Sequence, residues 1–272
     1  MKASVFVLGL LLLGTGNQVL AQPNLPLNTR KAVYRIAVPQ IDGQATALCF
    51  KHTPSREIFL LLNKHSIARD SAFTIFCDSL KLFINRQTDD GEVISGPEAI
   101  TVYLRRDTTL FLPDHELDVV LVRLSEQSID TGITISFMRW NLLIPFDHFR
   151  KVLNIDPPGI LTAIGYPGKA IASSHYRSPE YRWGFYTGHD SSALWSDIPI
   201  VRMSSGSAVF ARAEGSKYFL VGIVDSTHEM RSADSLVQSR THAIPISRIP
   251  IEFAYVFERM EKGKEGSTHV SP

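Results

Sequence analysis

Apolar residues along most of this chain fall in short runs parted by polar or turn-forming residues. The first group of runs, rich in Val, Ile, Leu and Phe, covers 32–38, 45–51, 57–63, 80–85, 99–104 and 119–124. A second group covers 133–137, 160–164, 182–187, 208–211, 218–224 and 241–246. Runs this short, bounded by Asp42-Gly43, Thr53-Pro54-Ser55 or Asp89-Asp90-Gly91, predict strands joined by turns. Many such strands at close spacing predict an all-β sandwich or barrel. The C-terminal end differs. Ile249, Phe253, Val256 and Phe257 recur at helical spacing, so 247–262 is expected to be a helix with one apolar face on the body, followed by a frayed polar tail at 263–272.

With 44% hydrophobic and 20% charged residues over 272 positions, the chain can bury a real core, as one domain or two joined halves. Its 28 basic and 27 acidic residues give a formal charge of +1, without the Lys/Arg block that a nucleic-acid partner requires. The N-terminus carries more information. Lys2 precedes an apolar run, 3–13, and Val19-Leu20-Ala21-Gln22 follows, which is the layout of a secretory signal peptide cleaved after Ala21. The run is well short of the roughly 20 apolar residues that span a bilayer. The expectation is therefore a signal peptide at 1–21, a linker at 22–30, and a mature protein without a membrane span, exported to the periplasm or secreted. In an oxidising compartment the two cysteines, Cys49 and Cys77, could form a disulfide; two buried free thiols are the other reading, and sequence alone leaves both open.

Three segments far apart in the chain carry residues that could do chemistry together. Phe59-Leu60-Leu61-Leu62-Asn63-Lys64-His65 is an apolar strand running into a histidine at its end. Leu117-Asp118-Val119-Val120-Leu121 places an acid immediately before a buried strand, where it can be aimed at an imidazole and kept ionised. Met203-Ser204-Ser205-Gly206-Ser207-Ala208-Val209 is a turn of small residues that can present both a serine hydroxyl and its own N–H. No His/Cys/Asp cluster with metal-ligand spacing is visible, and no metal or organic cofactor is expected.

These segments resemble the trypsin-like (chymotrypsin-fold) serine peptidase family, in its bacterial exported form. Leu-Leu-Asn-Lys-His65 resembles that family's strand-to-histidine segment, Leu117-Asp118-Val119-Val120-Leu121 its acid element, and Ser205-Gly206-Ser207-Ala208-Val209 its nucleophile turn. The order His, Asp, Ser agrees with it and with neither subtilisins nor α/β-hydrolases. Gly165-Tyr166-Pro167 and Val221-Gly222-Ile223-Val224 are also similar to family elements. The resemblance spans roughly 45–246. It implies two six-stranded antiparallel β-barrels, at 31–130 and 131–246, with the active site between them. It further implies a catalytic triad of His65, Asp118 and Ser205, an oxyanion hole from the Met203 and Ser205 amides, and peptide or protein substrates.

The chain departs from the family pattern at three positions. Met203 stands where the family has Gly, Ala208 where it has Pro, and Asp225 where it commonly has a Ser that hydrogen-bonds the catalytic acid. Two carboxylates brought together there would push one pKa upward. By the resemblance, the substrate pocket has its base near Pro199 and its wall at Ser226, Thr227 and His228. The leading expectation is an active endopeptidase. The alternative, motivated by the departures, is a silent member that binds a peptide or protein partner in the cleft.

Overall fold

The structure, a computed structural model, describes residues 25–113, 117–124, 135–139, 159–167, 176–189, 193–200, 204–213, 217–231 and 237–265. The expected signal peptide, most of the polar tail and the boundary between the two halves lie outside these residues.

Among the described residues there are fourteen strands: β1 (Val33–Val38), β2 (Gly43–Lys51), β3 (Ile58–Leu62), β4 (Ser79–Gln87), β5 (Val93–Tyr103), β6 (Leu110–Phe111), β7 (Val120–Leu124), β8 (Met138–Arg139), β9 (Ile160–Gly165), β10 (Glu180–His189), β11 (Leu194–Ser196), β12 (Ala208–Ala213), β13 (Lys217–Arg231) and β14 (Val237–Pro245). The second half is a closed six-stranded antiparallel barrel, β10-β11-β14-β13-β12-β9. The first half is an eight-stranded sheet in the order β5-β4-β1-β2-β3-β7-β6, with β8 paired in parallel to β2. The two strands beyond the expected six are β6 and β8, each only two residues long and too short to leave an alternating pattern.

Helix α1 (Leu27–Lys31) lies in the stretch expected to be a linker. It is docked rather than loose: Leu25 is buried in the core, and Asn85 Nδ2 donates to the carbonyls of Lys31 and Val33 at 2.9 and 2.7 Å. At the other end, α2 (Ile249–Glu252) and α3 (Ala254–Glu265) form the expected C-terminal helix, broken at Phe253. Among the described residues, no helix is long and apolar enough to cross a membrane.

The core explains why several strands read as unbroken apolar runs rather than alternating ones. Strand β2 is buried from Gln44 to Phe50 because both faces of its sheet are covered. Ala45, Ala47 and Cys49 join Leu60, Leu62, Val120 and Val122 on one face. Leu48 and Phe50 join Phe59, Leu61 and Leu121 on the other. That second face meets Ile164, Ala208, Phe210 and Ile223 from the outside of the barrel, and Ile249, Phe253, Val256 and Phe257 from the C-terminal helices. All four helical positions expected to face the body do so. The barrel interior is a third cluster, including Leu161, Val209, Val221 and Ala243.

Cys49 and Cys77 are both free thiols, so the disulfide reading is not realised. They share one apolar cluster, where burial raises the thiol pKa of each. An inert, protonated thiol behaves as a small hydrophobe and is content in such a core.

The two halves meet beside the nucleophile-like turn at Thr46 on β2. Its amide donates to the Ser205 carbonyl at 3.2 Å, and its hydroxyl accepts from the Tyr166 amide at 2.8 Å. Gly206 faces it with φ +82°, and a Cβ there would lie 1.9 Å from the Thr46 carbonyl oxygen. Both the backbone conformation and the space therefore demand glycine. Gly206→Ala is expected to lower folding stability by at least about 2 kcal/mol, from strain and overpacking together. Gly96→Ala, whose added Cβ would come no nearer than 3.4 Å to Tyr176, serves as the mild control. Urea unfolding of the two variants checks the contrast.

Candidate active site

The antiparallel pairing of β3 with β7 sets Leu62 opposite Val120. Residues just after the end of β3 and just before the start of β7 therefore meet at one edge. His65 sits there in a single 3-10 turn, Lys64–Ser66, and Asp118 faces it. The His65 amide donates to Asp118 Oδ1 at 3.0 Å, and His65 Nδ1 makes a short hydrogen bond to Oδ2 of the same carboxylate. Buried Asn63 fixes the other side of the junction, donating from Nδ2 to the Asp118 carbonyl at 3.0 Å. With Nδ1 committed to the carboxylate as donor, Nε2 carries the ring's lone pair. The imidazole is 35% exposed, so it can be reached from solvent, while the Asp118 side chain is 18% exposed.

Ser205 comes from the other half. Its turn closes with the Ser207 amide donating to the Ser204 carbonyl at 3.0 Å. Strand β13 then holds it: the Gly206 amide donates to the Val224 carbonyl at 2.9 Å, and the Val224 amide to the Ser207 carbonyl at 2.8 Å. The Ser205 hydroxyl donates to the Asp225 carbonyl at 3.3 Å. Asp225 thus connects the halves, because its carboxylate, that of Asp118 and a ring nitrogen of His65 lie within 4.8 Å of one another.

The Asp225 side chain points inward, toward the other acid. It accepts from His242 Nδ1 at 2.9 Å, and His242 lies against the Trp195 ring with centroids 4.9 Å apart. A grouping of one imidazole and two carboxylates can also hold an ion. Here, however, the His65 nitrogen and the Asp118 oxygen are bonded to each other, as in an acid–imidazole couple.

The electrostatics follow from burial and these contacts. Burial pulls the His65 pKa down, but the Asp118 hydrogen bond and the charges of Asp118 and Asp225 outweigh it, leaving the imidazole above its ordinary value. Asp118 is raised, by burial first and by the neighbouring Asp225. Burial acts on Asp225 in the same direction, yet hydrogen bonding with His242 and with Asp118, and then the positive character of both imidazoles, take it below the usual carboxylate range. Two close carboxylates have been pushed apart by their different partners.

Of the other expected site residues, Met203 lies outside the described residues. Ser226 and Thr227 pair through β13 with His242 and Thr241 on β14, and His228 with Arg240. The side chains of Thr227 and His228 are outside what the structure describes. Pro199 offers its carbonyl to Arg182 at 2.8 Å and borders a surface cavity with Trp183, Phe185 and Asp197. His242 was not anticipated from sequence. It lies in a strand read only for its apolar pattern, and nothing local marks it as a partner of Asp225.

No protein-family model matches the chain, and no curated protein matches it. The fold does have a solved counterpart. The chain superposes on a Glu endopeptidase, solved in complex with MPD, with a TM-score of 0.51 and 14% identity over 85% of this chain and 91% of that one. At that identity the likeness concerns architecture alone. Together with the closed barrel, the second sheet and the C-terminal helix, it establishes the chymotrypsin fold.

Asn63 is the residue that ties the histidine turn to the acid. Asn63→Ala, which removes a buried hydrogen bond and opens a small void, is expected to cost about 2 kcal/mol in urea unfolding.

Proposed function

We propose that this chain is a serine endopeptidase in which Ser205 is the nucleophile, His65 the general base and Asp118 the acid that orients it. The observation that carries this reading is the double grip of Asp118 on His65, through amide and ring, beside the glycine-dependent turn that presents Ser205. That grip fixes the imidazole tautomer, which is what the third member of a triad must do.

In the reaction, Ser205 Oγ attacks the peptide carbonyl carbon while its proton passes to His65 Nε2. The imidazolium is stabilised by Asp118, and the Ser205 amide, with that of Met203, receives the oxyanion. Collapse breaks the C–N bond, His65 returns the proton to the leaving amine, and water then hydrolyses the acyl-serine ester by the same relay. Before this can begin the Ser205 hydroxyl must rotate from the Asp225 carbonyl toward His65. Resting geometries of this kind commonly tighten only when substrate is bound. The Ser205–Asp225 bond is also the observation behind the second reading, a silent member that uses the cleft to bind a peptide partner.

On this reading the working protein is exported after removal of 1–21. Because the superposed protein is a Glu endopeptidase, a substrate screen begins with acidic residues before the cleaved bond.

The test is intact-mass labelling with a fluorophosphonate of the exported chain, whose mass should correspond to a start at Gln22. One adduct is expected on the parent, and none on Ser205→Ala or His65→Ala. Asp118→Asn should label about 10⁴-fold more slowly, since it loses the correct tautomer. A folded parent without an adduct would sink the hydrolase reading in favour of the peptide-binding one.

The pH dependence has a definite sign. The base must be neutral, and its pKa is raised, so labelling should increase with pH through a midpoint above about 6.5, the ordinary imidazole value. A rate profile from pH 4 to 9 measures it.

A further inference from the structure

Asp225 occupies a special place in the sheet. Along the β13–β14 ladder, Val224 pairs with Ala243 and Ser226 with His242, so Asp225 has no partner of its own and the register shifts across it. This is a β-bulge, with two residues on one strand facing one on the other, and a bulge of this kind turns a side chain out of the regular alternation. Here it lets Asp225 send its carbonyl to the Ser205 hydroxyl and its carboxylate toward Asp118 and His65. The residue opposite the bulge, His242, is the one that holds that carboxylate, at 2.9 Å, with Trp195 against its ring.

We propose that Asp225 and His242 form a second carboxylate–imidazole pair that backs the first, so that His65, Asp118, Asp225 and His242 work as one chain of four groups rather than as a triad with a neutral fourth residue. Asp225 and His242 are positioning residues: they act on the reacting atoms through Asp118 and His65. The inference rests on the triad reading for its catalytic consequence, but the coupling itself does not.

The groups facing Asp225 are His242 from β14, His65 from the turn after β3, Asp118 from before β7 and the Ser205 hydroxyl from the nucleophile turn. Two are cationic when protonated and one is a second anion. Ionised Asp225 therefore favours the protonated form of His65, and His242 favours the ionised form of Asp225. Neutralising Asp225 should lower the pH at which His65 titrates. Removing His242 should do the same by less, because Asp225 then takes up its own proton more readily.

The experiment follows the His65 ring by NMR titration in the full exported chain, with histidine isotopically labelled and the signal assigned through His65→Ala. Parent, Asp225→Asn, His242→Gln and the double variant are compared, with the pH profile of fluorophosphonate labelling as a second readout. A unit charge removed at this range predicts a downward shift of about one pH unit in Asp225→Asn. His242→Gln should shift in the same sense by less, and the double variant should match Asp225→Asn. The acid limb of the labelling profile should move with the NMR midpoint.

A parent that labels normally, with a His65 midpoint unmoved by Asp225→Asn, would overturn the inference. So would additive shifts in the double variant. A parent that fails to label while its His65 midpoint falls in Asp225→Asn would defeat the hydrolase reading and support the coupled pair. Should Asp225→Asn not fold, His242→Gln decides alone: a lowered midpoint supports the pair and an unmoved one overturns it.

Discussion

The site depends on how closely the turn at Ser205–Ser207 can approach Thr46. His65 and Asp118 belong to the first sheet and Ser205 to the barrel, so no strand pairing within either half brings all three together. Thr46 does, with its amide on the Ser205 carbonyl and its hydroxyl on the Tyr166 amide. The approach is possible only because the facing residues lack side chains: a Cβ on Gly206 would strike the Thr46 carbonyl oxygen, and one on Gly165 would strike the Ser207 hydroxyl oxygen. Tyr166 extends the same seam. Its carbonyl accepts from Gln44 at 3.2 Å, and its hydroxyl donates to Asn85 at 3.0 Å. Asn85 in turn holds the end of α1. One seam of hydrogen bonds thus spans β2, β4, the residue after β9 and the Ser205 turn.

Seen this way, much of the sequence was legible for a physical reason. Strands β2, β3 and β7 stood out as continuous apolar runs because both faces are covered. The C-terminal helix was visible because its apolar positions lie on a single face. His65 and Asp118 could be singled out because each adjoins the end of a buried strand, a relation that is local in sequence. Strands β6, β8 and β11 were not legible, since two or three residues carry no period. Helix α1 was hidden for a different reason: its five residues dock through Asn85 and Leu25, contacts that no local pattern records.

The outer pair shows the limit most clearly. Asp225 could be recognised as a departure from the resembling family, but the direction of its side chain depends on the bulge, and the bulge depends on the register of β13 against β14. A strand segment rich in apolar residues specifies which face is buried, yet it does not announce one extra residue in a ladder. His242 is invisible for the same reason. Its contact with Asp225 comes from lying across from that extra residue.

The bulge also makes the positions of Ser205 and Asp118 mutually dependent. Asp225 offers Ser205 a backbone carbonyl and offers Asp118 a carboxylate, so any shift of this one residue alters both ends of the site. An ordinary serine at this position would give Asp118 a hydroxyl donor and lower its pKa. Asp225 instead adds a second negative charge in a half-buried place, which is costly unless cations face it. His242 on one side and His65 on the other supply that compensation for Asp225, while burial and the neighbouring Asp225 raise Asp118. Replacing a neutral donor by a carboxylate is therefore not a lone substitution. It comes with a partner for the added charge, the imidazole of His242 opposite the bulge.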